Sequence, residues 1–223
     1  MKFMNLKKLV PAALIPCLMW TAGCGNSGPE DNTVAPSTRR EVRGREHKLD
    51  AGKVAELNAQ LAVKVASGTK DEVDTLLYDG ATADAMNRHG LPVIFIAAQR
   101  GDVEILELLI KAGADVNAKI GTSHNTDGVG YTGTADGTPL AYAAGAGKVD
   151  AMDVLRKAGA DLNAAGPEGT TPLMRAAEGG QLDSVQWLII NGSTAGREKA
   201  LTKAQMVINP QDNYLQIIRL LSR

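Results

Sequence analysis

The chain has 223 residues, 24 basic and 25 acidic side chains, and a formal charge of −1. A charge this close to zero, with no Lys/Arg stripe interleaved with aromatics, argues against nucleic acid as a partner. Aromatics make up only 4% of the chain while Gly alone occurs 24 times, so the core must come from small, closely packed residues rather than large rings.

The N-terminal segment reads as a targeting signal, not as fold. Lys2, Lys7 and Lys8 precede an apolar run from Leu9 to Trp20 that Pro11 and Pro16 interrupt. A spanning helix needs about 20 apolar residues, so this run is too short to remain as one. Thr21-Ala22-Gly23-Cys24 follows and resembles a bacterial lipobox, with Thr21 where Leu is usual. The resemblance implies cleavage after residue 23 and lipidation of Cys24. Gly25, in place of Asp, then implies the periplasmic side of the outer membrane. An ordinary cleaved signal and a soluble periplasmic protein is the alternative. Cys17 would be discarded, leaving no thiol to pair in the rest of the chain. Residues 24–48 are polar, contain Pro, Ser and Thr, and read as a disordered tether.

Residues 49–223 carry internal repeats. The segments 92–117, PVIFIAAQRGDVEILELLIKAGADVN, and 138–163, TPLAYAAGAGKVDAMDVLRKAGADLN, share one skeleton, and 171–194, TPLMRAAEGGQLDSVQWLIINGST, repeats it. The skeleton is a paired Ala, a Gly, an apolar run and a Gly-Ala-Asp turn. Thr138-Pro139-Leu140, Thr171-Pro172-Leu173, the pairs Ala97-Ala98, Ala143-Ala144 and Ala176-Ala177, and the GADVN and GADLN turns resemble the ankyrin repeat, a β-turn with two antiparallel helices. Thr138 and Thr171 are placed to cap helices that open on Pro. Gly113 and Gly159 are placed just past helix ends. Leu108, Leu109, Ile105, Leu155 and Val154 are expected to face the inner helices. The family's His is replaced by Phe95, Ala141 and Met174, which should loosen the polar network at the turns. Gly80-Ala81 marks a degenerate first unit, and Ile217, Ile218, Leu220 and Leu221 mark a last outer helix. The expected architecture is an all-α ankyrin-repeat solenoid of about five helix pairs, with units near 54–89, 90–135, 136–167, 168–199 and 200–223.

The spacing from Ala97 to Ala143 is 46 residues, against 33 from Ala143 to Ala176. The 13 extra residues fall within 119–136, KIGTSHNTDGVGYTGTAD. Asp127-Gly128 suits a two-residue turn, which predicts an extended β-hairpin insertion with His124 opposite Tyr131. The hairpin is expected to serve as a recognition loop. Gly128-x-Gly130-x-x-Gly133 lacks the strand and helix a dinucleotide site needs. Asn125, Asp127 and Asp136 supply too few oxygens for calcium. No cofactor and no metal is expected. His47, His89 and His124 are far apart, and no nucleophile–base set converges, so an enzyme is not expected.

The ankyrin resemblance implies binding through hairpin tips and the residues after each Ala pair. On this chain those are Gln99, Arg100, Gly145, Ala146, Glu178 and Gly179, with tips at Pro167, Glu168 and Thr170. The insertion adds His124, Asn125, Asp127, Tyr131 and Asp136. The expected function is a monomeric, lipid-anchored binding module that holds, protects or neutralises a periplasmic protein. A structural envelope scaffold or spacer is the alternative.

Overall fold

A computed structural model describes residues 50–120, 136–206 and 212–223. Within them run ten helices in five consecutive pairs. They are α1 (Ala51–Ser67) with α2 (Lys70–Tyr78), α3 (Val93–Arg100) with α4 (Val103–Lys111), and α5 (Pro139–Gly145) with α6 (Val149–Lys157). Then come α7 (Pro172–Glu178) with α8 (Leu182–Ile190), and α9 (Arg197–Gln205) with α10 (Asp212–Leu221). The first helix of each pair packs on the first helix of the next, and the second helices form a looser outer row. The result is an all-α, two-layer solenoid.

Sequence dictates the inner layer closely. Thr138 and Thr171 are extended residues whose hydroxyls accept from the N–H of Ala141 and Met174, each at 3.3 Å, and Pro opens the helix behind each. These bonds are long, so Thr138→Ala or Thr171→Ala is expected to cost about 0.5–1 kcal/mol each in urea unfolding. All six residues of the three Ala pairs are fully buried. They sit where neighbouring inner helices meet, and any larger side chain would push the helices apart.

The positions of the missing His are also buried. Phe95 lies edge-on to Tyr142, with ring centroids 5.1 Å apart at 87°, so apolar packing replaces the polar contact there. The turns are nevertheless joined by a hydrogen-bonded ladder. Asp84 accepts from the Asp115 N–H at 3.3 Å, and Asn117 Oδ1 from the Asp161 N–H at 2.9 Å. Asn163 Oδ1 accepts from the N–H groups of Thr194 and Ala195, each at 3.0 Å. Asp115 and Asp161 also close their own turns, on Asn117 and Asn163. Short side chains two residues apart therefore make the local turn and the bond to the next repeat. The network is shifted to these residues rather than loosened.

The outer helices differ from expectation by one residue. Ile105 and Leu109 are buried, but the third core residue of α4 is Leu106, and Leu108 is only half-buried. In α6 the buried set is Ala151, Met152 and Leu155, with Val154 half-buried. The stripe i, i+1, i+4 faces the inner layer, and the residue at i+3 turns toward the groove between outer helices.

One glycine position recurs between the two helices of a pair. Gly101, Gly147 and Gly180 have φ of 79°, 72° and 66°. A Cβ on them would meet Lys148, Gln181 and Tyr214 of the following pair. The left-handed turn and the close approach both require Gly.

Terminal pairs are integrated by polar bonds. At the start of α2 the Glu72 carboxylate accepts from the Thr69 N–H and the Lys64 ammonium. The Lys64 bond, helped by that of Thr69, holds Glu72 below the usual carboxylate range. Its contribution is therefore present at neutral pH and is lost as pH falls through the lowered value. At the other end, Arg197 donates to the carbonyls of Leu220 at 2.9 Å and Leu221 at 3.0 Å, capping α10. Ile217 and Leu221 are buried, while Ile218 packs half-buried against the core. Arg197→Met is expected to destabilise this last pair by about 1.5 kcal/mol. Hydrogen exchange should speed up across α10 and stay unchanged in α5–α8.

The expected β-hairpin is corrected. No strand occurs among the described residues. The flanks of the insertion make a single isolated antiparallel bridge, Ile120 with Gly137, and no ladder. A comparable bridge joins Met86 and Pro92. Each ties the base of a turn together. Residues 121–135 themselves lie outside the described residues.

Candidate functional site

The inner helices begin beside the projecting turns, and the expected partner-binding residues divide into those left exposed and those taken into the frame. Arg100 and Glu178 are exposed, and Gln99 is half-buried. Arg100 Nε lies 2.6 Å from Asp102 Oδ2. Glu178 faces Lys203 at 3.2 Å and Arg175 at 3.8 Å, while its carbonyl accepts from the Tyr214 hydroxyl at 3.0 Å. Glu168 is exposed at a turn tip. These positions can meet a partner.

Asp136 and Thr170 belong to the frame instead. Asp136 is 1% exposed. Its Oδ1 accepts from the Glu168 N–H at 3.0 Å, and its Oδ2 from the Thr170 N–H at 2.8 Å. Its carbonyl accepts from Arg175 Nη2 at 2.6 Å. The carboxylate thus clamps the next turn, and Thr170 is buried beneath it. A Cβ at Gly166 would overlap both the Asp136 carboxylate and the Gly137 nitrogen.

Gly145, another expected binding position, is partly covered by the next repeat. A Cβ there would lie 2.5 Å from Arg175 Cγ, and one at Gly179 would lie 2.6 Å from the Gly145 carbonyl. Arg175 crosses this spot with its guanidinium carbon 5.6 Å from the Tyr142 ring centroid. Sequence reasoning missed this pair. The available signal was position: Tyr142 and Arg175 each stand immediately before an Ala pair, as Ile96 does. At the N-terminal end of the same face a groove of about 730 Å³ runs between α1 and the turn carrying Met86–His89, with Ile96 in its wall. Cys24, His124, Asn125, Asp127 and Tyr131 lie outside the described residues.

Among the described residues no group of three His, Cys, Asp or Glu side chains could hold a metal, and no helix is long and apolar enough to cross a membrane. A rigid frame with exposed charged positions can bind, and among the described residues no acid, base and nucleophile converge.

Comparison with known families fits this geometry. Residues 121–199 match the family described as ankyrin repeats in three copies, and residues 89–120 match the single ankyrin repeat. No curated protein matches the chain. The stack of helix pairs, its Thr-Pro helix starts and its Ala-paired inner layer are those of this family, and the chain is an ankyrin-repeat protein.

Proposed function

We propose that the chain is a protein-interaction scaffold tethered in a bacterial envelope. Ankyrin repeats are generic protein-interaction modules. The observation that carries the reading is the ladder of Asp and Asn side chains, which holds successive turns at fixed spacing and so presents one continuous rigid edge. A preorganised edge loses little freedom on binding, which favours stoichiometric capture of another protein. The generic character of the repeats supports a scaffold role at least as well as a dedicated role in protecting an enzyme or neutralising a toxin.

The tether is read from Thr21-Ala22-Gly23-Cys24. Acyl chains on Cys24 would place a monomeric repeat domain at the periplasmic side of the outer membrane. Intact mass of the chain recovered from membranes tests this. The expected result is loss of residues 1–23, a mass increase of two or three acyl chains, and release of the Cys24→Ser variant from the membrane. An unmodified chain recovered in the soluble fraction would contradict it.

A further inference from the structure

The groove between α1 and the first turn has a floor of small and apolar side chains. Ala59, Ala62 and Ala66 of α1 face Met86 and Ile96 across it. Val63 and Met86 are 61% and 55% exposed, large apolar residues left to water on the binding face.

The polar lining is one-sided. Asn58 Oδ1 accepts from the Thr82 N–H at 2.8 Å, and Asn87 Oδ1 accepts from the N–H groups of His89 and Leu91 at 2.9 and 3.0 Å. Both carboxamide oxygens are therefore used by the backbone, which leaves the two NH₂ groups as donors. Arg88 Nε donates to His89 Nε2 at 3.0 Å. The imidazole acceptor is thereby occupied, and the arginine keeps its terminal N–H groups. Among the lining side chains, acceptor capacity remains on the Ser67 hydroxyl, which donates to the Val63 carbonyl, and on the second lone pair of Asn58 Oδ1. The lining includes no Asp or Glu. Arg100, Arg156, Arg175 and Arg197 each hold a carboxylate or a carbonyl, whereas Arg88 is paired with no carboxylate among the described residues.

We infer that this groove docks an acidic, apolar segment of a protein partner, its apolar side chains on the alanine floor and its carboxylate on Arg88. The inference rests on the reading of the chain as a protein-interaction module. A donor-rich lining without carboxylates, next to an apolar floor, selects a ligand rich in acceptors and disfavours a basic one, whose cations would meet Arg88 unpaired.

The test uses the full-length chain and fluorescein-labelled peptides of alternating Leu and Glu, with counterparts carrying Lys or Gln in place of Glu. Fluorescence anisotropy is expected to show the Leu/Glu peptide binding at least about tenfold more tightly than the Leu/Lys peptide. Arg88→Glu should remove that preference, and Ala59→Trp, which fills the floor, should weaken binding comparably. Lys157→Glu, the same charge change on α6, should leave it unaltered. Both groove positions are exposed, so melting temperatures should match the parent chain. Equal binding of the acidic and basic peptides, or binding that ignores Arg88 and Ala59, would overturn the inference. If native partner capture persisted in the Arg88→Glu chain alongside such a result, the groove assignment alone would fail. Absence of any partner would count against the interaction reading itself.

Discussion

Asp136→Ala is expected to destabilise the solenoid by about 2–4 kcal/mol, because two charge-assisted hydrogen bonds to backbone N–H groups disappear at a buried site. The carboxylate is 1% exposed, so water cannot easily replace it. The Glu168 and Thr170 N–H groups would be left without their acceptor, and the turn before α7 would lose its anchor. For a domain of this size the loss corresponds to a fall in melting temperature of roughly 5–15 °C. Asp136→Asn should be nearly as damaging, since the amide can accept at one position but presents NH₂ to a donor at the other. Gly166→Ala attacks the same clamp from outside, by placing a methyl where the carboxylate sits. Calorimetry on the three variants checks this. Stabilities within 0.5 kcal/mol of the parent chain, the range of ordinary surface substitutions, would mean that Asp136 is a surface residue after all.

Leu106→Ala should cost about 2–5 kcal/mol, while Leu108→Ala should cost about 1 kcal/mol or less. Leu106 has no exposed surface and closes the core beneath α4. Leu108 borders the open groove between outer helices and can exchange its contacts for water. Urea unfolding of both variants discriminates the two faces. The reverse order would mean that α4 is rotated from the orientation described. Because each pair contacts only its neighbours, the Leu106 loss should spread to α2 and α6 before it reaches α10.

These residues also show what could be read from the sequence. The Thr-Pro starts, Ala pairs and Gly-Ala-Asp turns fix helix ends and inner packing through local rules, and those rules operate unchanged in the structure. Which of Leu106 and Leu108 is buried is a matter of a rotation of about 100° per residue: Glu107 stands between them and favours neither, and only Glu104, one turn before Leu108, marks the side that stays outside. Asp136 was legible as a polar residue beside an insertion, but its role depends on a turn 32 residues away, and nothing local signals that bond. Tyr142 and Arg175 meet for the same reason, across adjacent repeats. The expected hairpin came from the 13 extra residues and the Asp127-Gly128 pair among them. A two-residue turn signal needs alternating strands beside it, and the flanks make one bridge only.

Capture of a native partner tests whether the chain binds a protein through its exposed charged positions. The full-length chain, tagged at the C-terminus, would be crosslinked in native envelopes and compared with a variant carrying Arg100→Glu and Glu178→Arg on the exposed edge. One dominant protein partner at near-equal stoichiometry is expected with the parent chain, and a loss of about tenfold or more with the variant, whose fold should be intact. A partner retained in full by the variant, or no specific partner with either chain, would contradict binding through this edge.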